Sequence, residues 1–290
     1  MSLRVFFPLV MAIILTWSGP AIAVPFFFST GNPDGLIATA SRPESAGKIE
    51  IESADDFVVS GPNTLKLTSA TFQGLLPIGA PLTSVNNVRV EIYRVFPNDS
   101  ANPPSGNVLT RVNSPSDVAF ASRESVAGEL TFTPGIVSPS FTTPNSVLNG
   151  INKFPNQFTG GEGGRTGQQV QFNVVFSTPF TLPADHYFFV PKVQLTSGDF
   201  FWLSASRPIV LPPGTPFPAG ETDLQTWIRN SDLDPDWSRI GTDITHTGPF
   251  NAAFTLAGDL EPVPEPTTLL LWGTTLAGLG LVRWRRRTQR

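Results

Sequence analysis

The chain of 290 residues has no cysteine. Disulfides, a thiol nucleophile, a thiolate metal site and a lipidated cysteine are therefore excluded, and stability must come from packing. Histidine occurs only at His186 and His246. A zinc site would have to draw most of its ligands from carboxylates. Both histidines have an acidic neighbour, Asp185 and Asp243, and serine is plentiful. No Gly-x-Ser-x-Gly elbow occurs, however, and a structural hydrogen bond beside a strand accounts for each histidine without a catalytic triad. Long uninterrupted stretches are also scarce. The 25 glycines and 29 prolines fall every few residues between Val24 and Gly258 and leave little room for helices.

What lies between these breakers alternates. Val88, Val90 and Ile92 are interleaved with Arg89, Glu91 and Tyr93, and Val170, Phe172, Val174 and Phe176 with Gln169, Gln171 and Asn173. A period of two marks half-buried strands. Further strands are expected at 56–59, 65–76, 130–133, 187–195, 200–204, 225–229 and 251–257. The number of strands implies an all-β fold, an antiparallel β-sandwich with jelly-roll-like connections. The polar stretches 97–117 and 134–166 read as rim loops. The second ends in the run Gly160-Gly161-Glu162-Gly163-Gly164, which lacks the lysine and following helix of a phosphate loop and reads as a flexible loop. With 23 phenylalanines and six tryptophans, a domain of this length can bury enough apolar surface, at about 25 cal/mol per Å², to offset chain entropy.

The two ends have a different character. Residues 1–23 place Arg4 before an apolar run and close on Ala21-Ile22-Ala23 after Gly19-Pro20, the three-part pattern of a cleavable signal peptide. The small side chains Ala21 and Ala23 put the cut after Ala23. At the other end, Pro264-Glu265-Pro266 precedes sixteen uncharged residues from Thr267 to Val282, and an arginine-rich tail, 283–290, follows. Sixteen residues of helix span about 24 Å, slightly short of a hydrocarbon core of about 30 Å. Trp284 and snorkelling arginines can cover the difference. A basic flank stays cytoplasmic, so the body lies outside. This order of parts, with Gly273, Gly278 and Gly280 in the apolar run, resembles the PEP-CTERM sorting segment. The resemblance covers about thirty residues and implies routing: an exosortase cuts near the Pro-Glu-Pro motif after the inner membrane has held the C-terminal helix, in a Gram-negative cell. The expected organisation is a signal peptide at 1–23, a β-sandwich passenger at 24–260 and a sorting segment at 261–290.

The whole chain carries a net charge of -4. Arg4 and five tail arginines lie outside residues 24–266, which leaves 13 basic against 23 acidic side chains there, a net -10. Such a body repels phosphate backbones, so nucleic acid is not an expected partner. Two acidic patterns and one resemblance remain. Asp232, Asp234 and Asp236 stand at i, i+2 and i+4 before Trp237, a spacing that suits calcium, although Asp-Pro is equally a turn starter and the glycine and distal glutamate of an EF-hand are missing. Glu50, Glu52, Asp55, Asp56 and Glu91 could approach one another across strands as a glycoside-hydrolase pair, or be solvated. The segment Ser53-Ala54-Asp55-Asp56-Phe57-Val58, followed by Ala70-Thr71-Phe72-Gln73-Gly74, resembles the start of β-sandwich passengers common among secreted, anchored bacterial proteins.

The expectation is a non-enzymatic exported protein, handled by signal peptidase and exosortase. Its role at the cell surface or in the extracellular matrix, in exopolysaccharide or biofilm, is structural or interactive. The alternative is a carbohydrate-binding module whose rim aromatics Trp202, Trp227 and Trp237 stack on sugars, with calcium ordering a loop. A polysaccharide hydrolase is the third reading.

Overall fold

Side chains two apart share a face of a strand. The alternating segments therefore commit one row each to an interior, and in the computed structural model those rows meet. The structure describes residues 23–100, 106–152 and 158–262. In chain order the strands are β1 (Val24–Ser29), β2 (Pro33–Ala40), β3 (Ile51–Val59), β4 (Asn63–Leu76), β5 (Val85–Arg94), β6 (Ala121–Glu124), β7 (Leu130–Thr143) and β8 (Asn145–Val147). They continue with β9 (Arg165–Leu182), β10 (Asp185–Leu195), β11 (Phe201–Ala205), β12 (Trp227–Asn230), β13 (Ser238–Arg239), β14 (Asn251–Ala252) and β15 (Phe254–Pro262). The all-β expectation holds: two sheets, antiparallel but for the pairing of β2 with β8, account for the described fold.

The larger sheet has nine strands. Its main path runs β1-β15-β4-β11-β2-β8, with β9 alongside β4, β7 outside β9, and β14 on β11. The smaller has six, ordered β13-β12-β3-β10-β5-β6. Phe57, Val88, Val90, Ile92, Tyr187 and Phe189 of the smaller sheet pack against Leu67, Phe72, Phe172, Val174, Phe254 and Leu256 of the larger in one core. The rings are ordered within it. Phe72 and Phe172 stack with centroids 4.9 Å apart at 7°, and Phe189 of the small sheet lies parallel to Phe254 of the large at 5.1 Å and 12°.

Two expectations need correction. Residues 134–166 are not a single loop, because β7 continues through Pro134, Gly135 and Pro139 to Thr143, and β8 follows. The prolines are tolerated because β7 lies at the sheet edge and pairs only with β9. The end of the stretch 97–117 does not decorate the rim. Phe96 N donates to Ser114 O at 2.9 Å, and Trp237 Nε1 donates to Ser116 O at 3.1 Å, so residues 114–116 lie against the outer face of the smaller sheet. The signal-peptide residues through Ile22, Ala21 among them, fall outside the described residues. So do Pro264, Glu265, Pro266, the apolar run 267–282 and the tail 283–290. Among the described residues no helix is long and apolar enough to cross a membrane.

Gly74 explains part of the motif Ala70-Thr71-Phe72-Gln73-Gly74. A methyl group at that position would sit 2.1 Å from the Phe200 ring and 2.5 Å from Phe201 O. β4 can pair with β11 only because this residue has no side chain. Gly74→Ala is therefore expected to cost about 1–3 kcal/mol through forced displacement of the core, read by urea unfolding followed through tryptophan fluorescence. Wild-type stability in that variant would refute the close approach.

Candidate functional site

The inward rows of the smaller sheet are mostly apolar, with Ser53 and Asp55 as buried polar exceptions, and its outward rows mix apolar residues with charges that are largely buried. β3 turns Glu52, Ala54 and Asp56 outward, β5 Arg89, Glu91 and Tyr93, and β10 His186, Phe188, Val190 and Lys192. Register sets Arg229 of β12 opposite Glu52, Lys192 opposite Arg89, and Arg89 opposite Glu124 of β6. A row of alternating and adjacent charges thus crosses the sheet. Residues 111–120 and 223–240 then cover part of it, with Tyr93, Phe188, Val190, Leu224, Trp227 and Trp237 as an apolar layer beneath.

Lys192 is the centre of this face and is 1% exposed. Its Nζ lies 2.7 Å from Glu50 Oε1, 2.8 Å from Glu52 Oε1 and 2.7 Å from Glu91 Oε2. An ammonium has three donors, and here each faces a carboxylate. Arg229 meets the other oxygen of Glu52 through Nε. It also reaches Asp234 at 2.7 Å, Asp117 O at 2.9 Å and Tyr93 Oη at 2.9 Å, with its guanidinium 4.4 Å from the Trp237 ring centre. The Tyr93 hydroxyl lies 3.0 Å from both Glu52 and Glu91.

These surroundings pull the two carboxyls apart. Burial works against the Glu52 carboxylate, but Lys192 and Arg229 outweigh it and hold the group below the usual carboxylate range. Glu91 is pushed up to about 7 by burial, with Lys192 opposing and the Glu52 charge adding to the rise. Lys192 itself is raised, because Glu52, Glu91 and Glu50 overcome the burial that would lower it. The same site thus raises the proton affinity of Glu91 and lowers that of Glu52.

A second cluster uses the adjacent aspartates. Asp55 accepts from Ala252 N at 2.8 Å and ties β3 to β14 of the other sheet. Asp56, facing the opposite way, is hydrogen-bonded to His186 Nε2 at 2.6 Å and accepts from Leu224 N at 3.1 Å. Asp223 receives Asn251 Nδ2 at 3.2 Å and lies 3.6 Å from Arg207 Nε. Burial raises Asp55 well above its ordinary value, reinforced by Asp56 and Asp223, and raises Asp56 against the pull of His186. Asp223 rises to about 6, through burial and the Asp56 charge.

The five acids read as a carboxylate group therefore divide. Glu50, Glu52 and Glu91 gather on Lys192, whereas Asp55 and Asp56 clasp the segments near 223 and 251. Glu52 is 3% exposed, so it is not a solvated face residue. A cavity of about 350 Å³ opens beside Glu50, Glu52, Tyr93 and Arg229, but its carboxylates are already committed to Lys192 and Arg229. Asp232, Asp234 and Asp236 do not converge. Asp232 is exposed, Asp234 pairs with Arg229, and Asp236 is fully buried with Arg111 Nε at 3.3 Å. Among the described residues no group of three or more His, Asp or Glu is arranged to hold a metal ion. His186 makes the structural bond expected of it, with Asp56 as partner instead of Asp185, and Asp243 holds Arg239 at 2.7 Å.

The proposed stacking aromatics are corrected as well. Trp202, Trp227 and Trp237 are 0%, 1% and 0% exposed. They fill interiors because their strands turn them inward or because 223–240 folds over the sheet. The glycine-rich run is a loop, but a tethered one: Glu162 takes the amides of Leu148 at 2.8 Å and Asn149 at 2.7 Å, and that of Gly150. Lys192 and Arg229 escaped notice in the sequence, although a lone lysine inside the apolar stretch 187–195 was a usable signal. No family model matches the chain, and neither a curated protein nor a solved structure is significantly similar to it.

Removing Lys192 leaves three carboxylates facing one another. Lys192→Met is expected to destabilise the fold by about 3–5 kcal/mol, the range for breaking a buried ion pair, and an unchanged urea midpoint would contradict the network. The pH dependence has a definite sign. A carboxyl whose pKa rises on folding holds its proton more tightly in the folded chain. Its contribution is complete at acid pH and is lost as pH climbs toward the folded value. For Glu91 the window runs from 4.5 to about 7, for Asp223 from 3.8 to about 6, and Asp55 and Asp56 act in the same sense. Glu52 acts oppositely, and its contribution is lost as pH falls below 4.5. Melting temperature should therefore decline between about pH 5 and pH 7.5, and Glu91→Gln should flatten that decline. A rise across this interval would show the assignment wrong.

Proposed function

We propose that this chain is an exported, non-enzymatic protein of a Gram-negative cell envelope, routed by a signal peptide and a PEP-CTERM-type segment, with a structural or interaction role at the surface or in the exopolysaccharide matrix. The observation that supports the reading is that the first and last described strands are neighbours. Val24, the residue after the inferred signal cut, opens β1, and β15 is described from Phe254 to Pro262, two positions before the start of Pro264-Glu265-Pro266 in the sequence. The two strands are neighbours, with Val24 opposite Leu260. The residue after the inferred signal cut and the last described strand therefore lie side by side, and cutting before Val24 or after Pro262 leaves every described strand pairing intact. Strands that switch repeatedly between the two sheets support the jelly-roll-like connection.

The network around Lys192 supports a structural role over a hydrolytic one. A catalytic acid must give its proton to substrate and a base must reach water, whereas Glu52 and Glu91 are saturated by Lys192, Tyr93 and Arg229. Tryptophan stacking on sugars loses its platform for the reason given above.

Routing is tested by replacing Pro264-Glu265-Pro266 with Ala-Gln-Ala. The apolar run and arginines stay intact, so a plain membrane anchor would insert as before. In a host with the exosortase, the variant should instead remain in the inner membrane with its C-terminal arginines attached, while the wild type loses about thirty residues and moves outward, as read by mass spectrometry of membrane and medium. Wild-type processing of the variant would overturn the routing.

A further inference from the structure

The outer face of the larger sheet is the counterpart of the charged face, and its composition is unusual for an acidic chain. Register sets Thr133, Asn173, Thr71 and Thr255 side by side across β7, β9, β4 and β15. The next row is Thr131, Val175, Ser69 and Ala257, and on the other side stand Gly135, Gln171 and Gln73. None of these side chains ionises. Charge returns only beyond the bulge at Ala257/Gly258, where Lys66 faces Asp259 and pairs with Glu261. Strands about 4.8 Å apart place the four side chains of a row over about 14 Å.

The amides on this face are pre-oriented. Gln169 Nε2 donates to Gln73 Oε1 at 2.9 Å, Gln73 Nε2 to Gln171 Oε1 at 3.5 Å, and Gln171 Nε2 to Asn173 Oδ1 at 2.9 Å. Asn173 Nδ2 continues to Thr133 O at 3.4 Å. Each donating amide spends one hydrogen inside the chain and keeps a second, together with carbonyl lone pairs, for an outside partner. Side chains already held in place lose little entropy when something binds. Thr131, Thr133, Asn173 and Val175 are exposed, and no long side chain rises from these rows. At one margin Phe27, opposite Ala257 and 55% exposed, adds an apolar ring.

We propose that this face, over β7, β9, β4 and β15, is a docking surface for a neutral polysaccharide. Charge selects the partner. The body of the chain is net acidic, so a polyanion is repelled, and a polycation finds no carboxylate among these rows to pair with. An uncharged array of amides and hydroxyls, with Val175 within it and Phe27 at its margin, matches an uncharged polymer whose hydroxyls point sideways and whose ring C–H groups point down. The strand spacing is close to the length of one pyranose residue, so successive sugars meet successive strands. The inference deepens the matrix reading above, which places the chain among polysaccharides, while the face itself rests on register and hydrogen bonding.

The test is retention of the full-length chain, purified in detergent, on a panel of immobilised neutral polymers (cellulose, β-1,3-glucan, dextran, mannan) and anionic ones (alginate, hyaluronate). Expected is retention by at least one neutral polymer, insensitive to molar salt because no charge is involved. Retention should fall about tenfold in the Gln171→Ala/Asn173→Ala double variant, the loss of one or two net hydrogen bonds, and in Thr71→Glu. These are surface positions, and an unchanged melt would show that each variant folds. Retention by none of the neutral polymers, by anionic polymers alone, or equally by wild type and variants would overturn the proposal. So would a concentration-dependent dimer abolished by Thr71→Glu, which would assign the face to a second copy. Binding is measured without any processing step, so its failure leaves the routing intact, and failed routing leaves the binding result intact.

Discussion

Everything on the outer side of the smaller sheet depends on neutralising one buried ammonium. Lys192 stands in the otherwise apolar stretch 187–193 of β10, and desolvating an isolated ammonium there would cost several kcal/mol. Three carboxylates on β3, β5 and the residue before β3 meet it. The resulting excess of negative charge draws in Arg229, which in turn holds the backbone of Asp117 and the side chain of Asp234. The covering segments are thus fastened by the same chain of charges that the lysine requires.

The Asp55–Asp56 pair performs a related task with less charge. Because consecutive strand residues face opposite ways, one aspartate reaches across to the other sheet at Ala252 and the other reaches outward to Leu224 and His186. Both sit near the C-terminal segment that returns to β15, and through it to β1. One sheet therefore has an outward face of buried, mutually neutralised charge, and the other an outward face of uncharged amides and hydroxyls. This asymmetry separates a surface committed to holding the fold from one open to a partner.

The alternating segments were legible because a strand buried on one side writes its period into the chain: β4, β5, β9 and β10 stand where Leu65, Val88, Val170 and Tyr187 mark them. Other features were not. Pro134 and Pro139 read as breakers, and only the edge position of β7 makes them acceptable. Trp202, Trp227 and Trp237 read as rim aromatics but are all buried, because composition does not say which way a ring turns. Glu50, Glu52 and Glu91 could be grouped, whereas their partners Lys192 and Arg229 come from strands 100 to 180 residues away, and contacts at that separation depend on strand order, which no local period encodes. The amide row escaped for the same reason: Gln73 and Gln171 become neighbours only through the pairing of β4 with β9.

The central claim, that Lys192 and Glu52 are halves of one buried structural pair, is tested most directly by a double-mutant cycle of Lys192→Met and Glu52→Gln in urea unfolding. If the pair is coupled, removing the carboxylate charge relieves part of the damage done by removing the ammonium, so the double variant should be more stable than the sum of the single losses implies by at least about 1 kcal/mol. Strict additivity of the two losses would contradict the account.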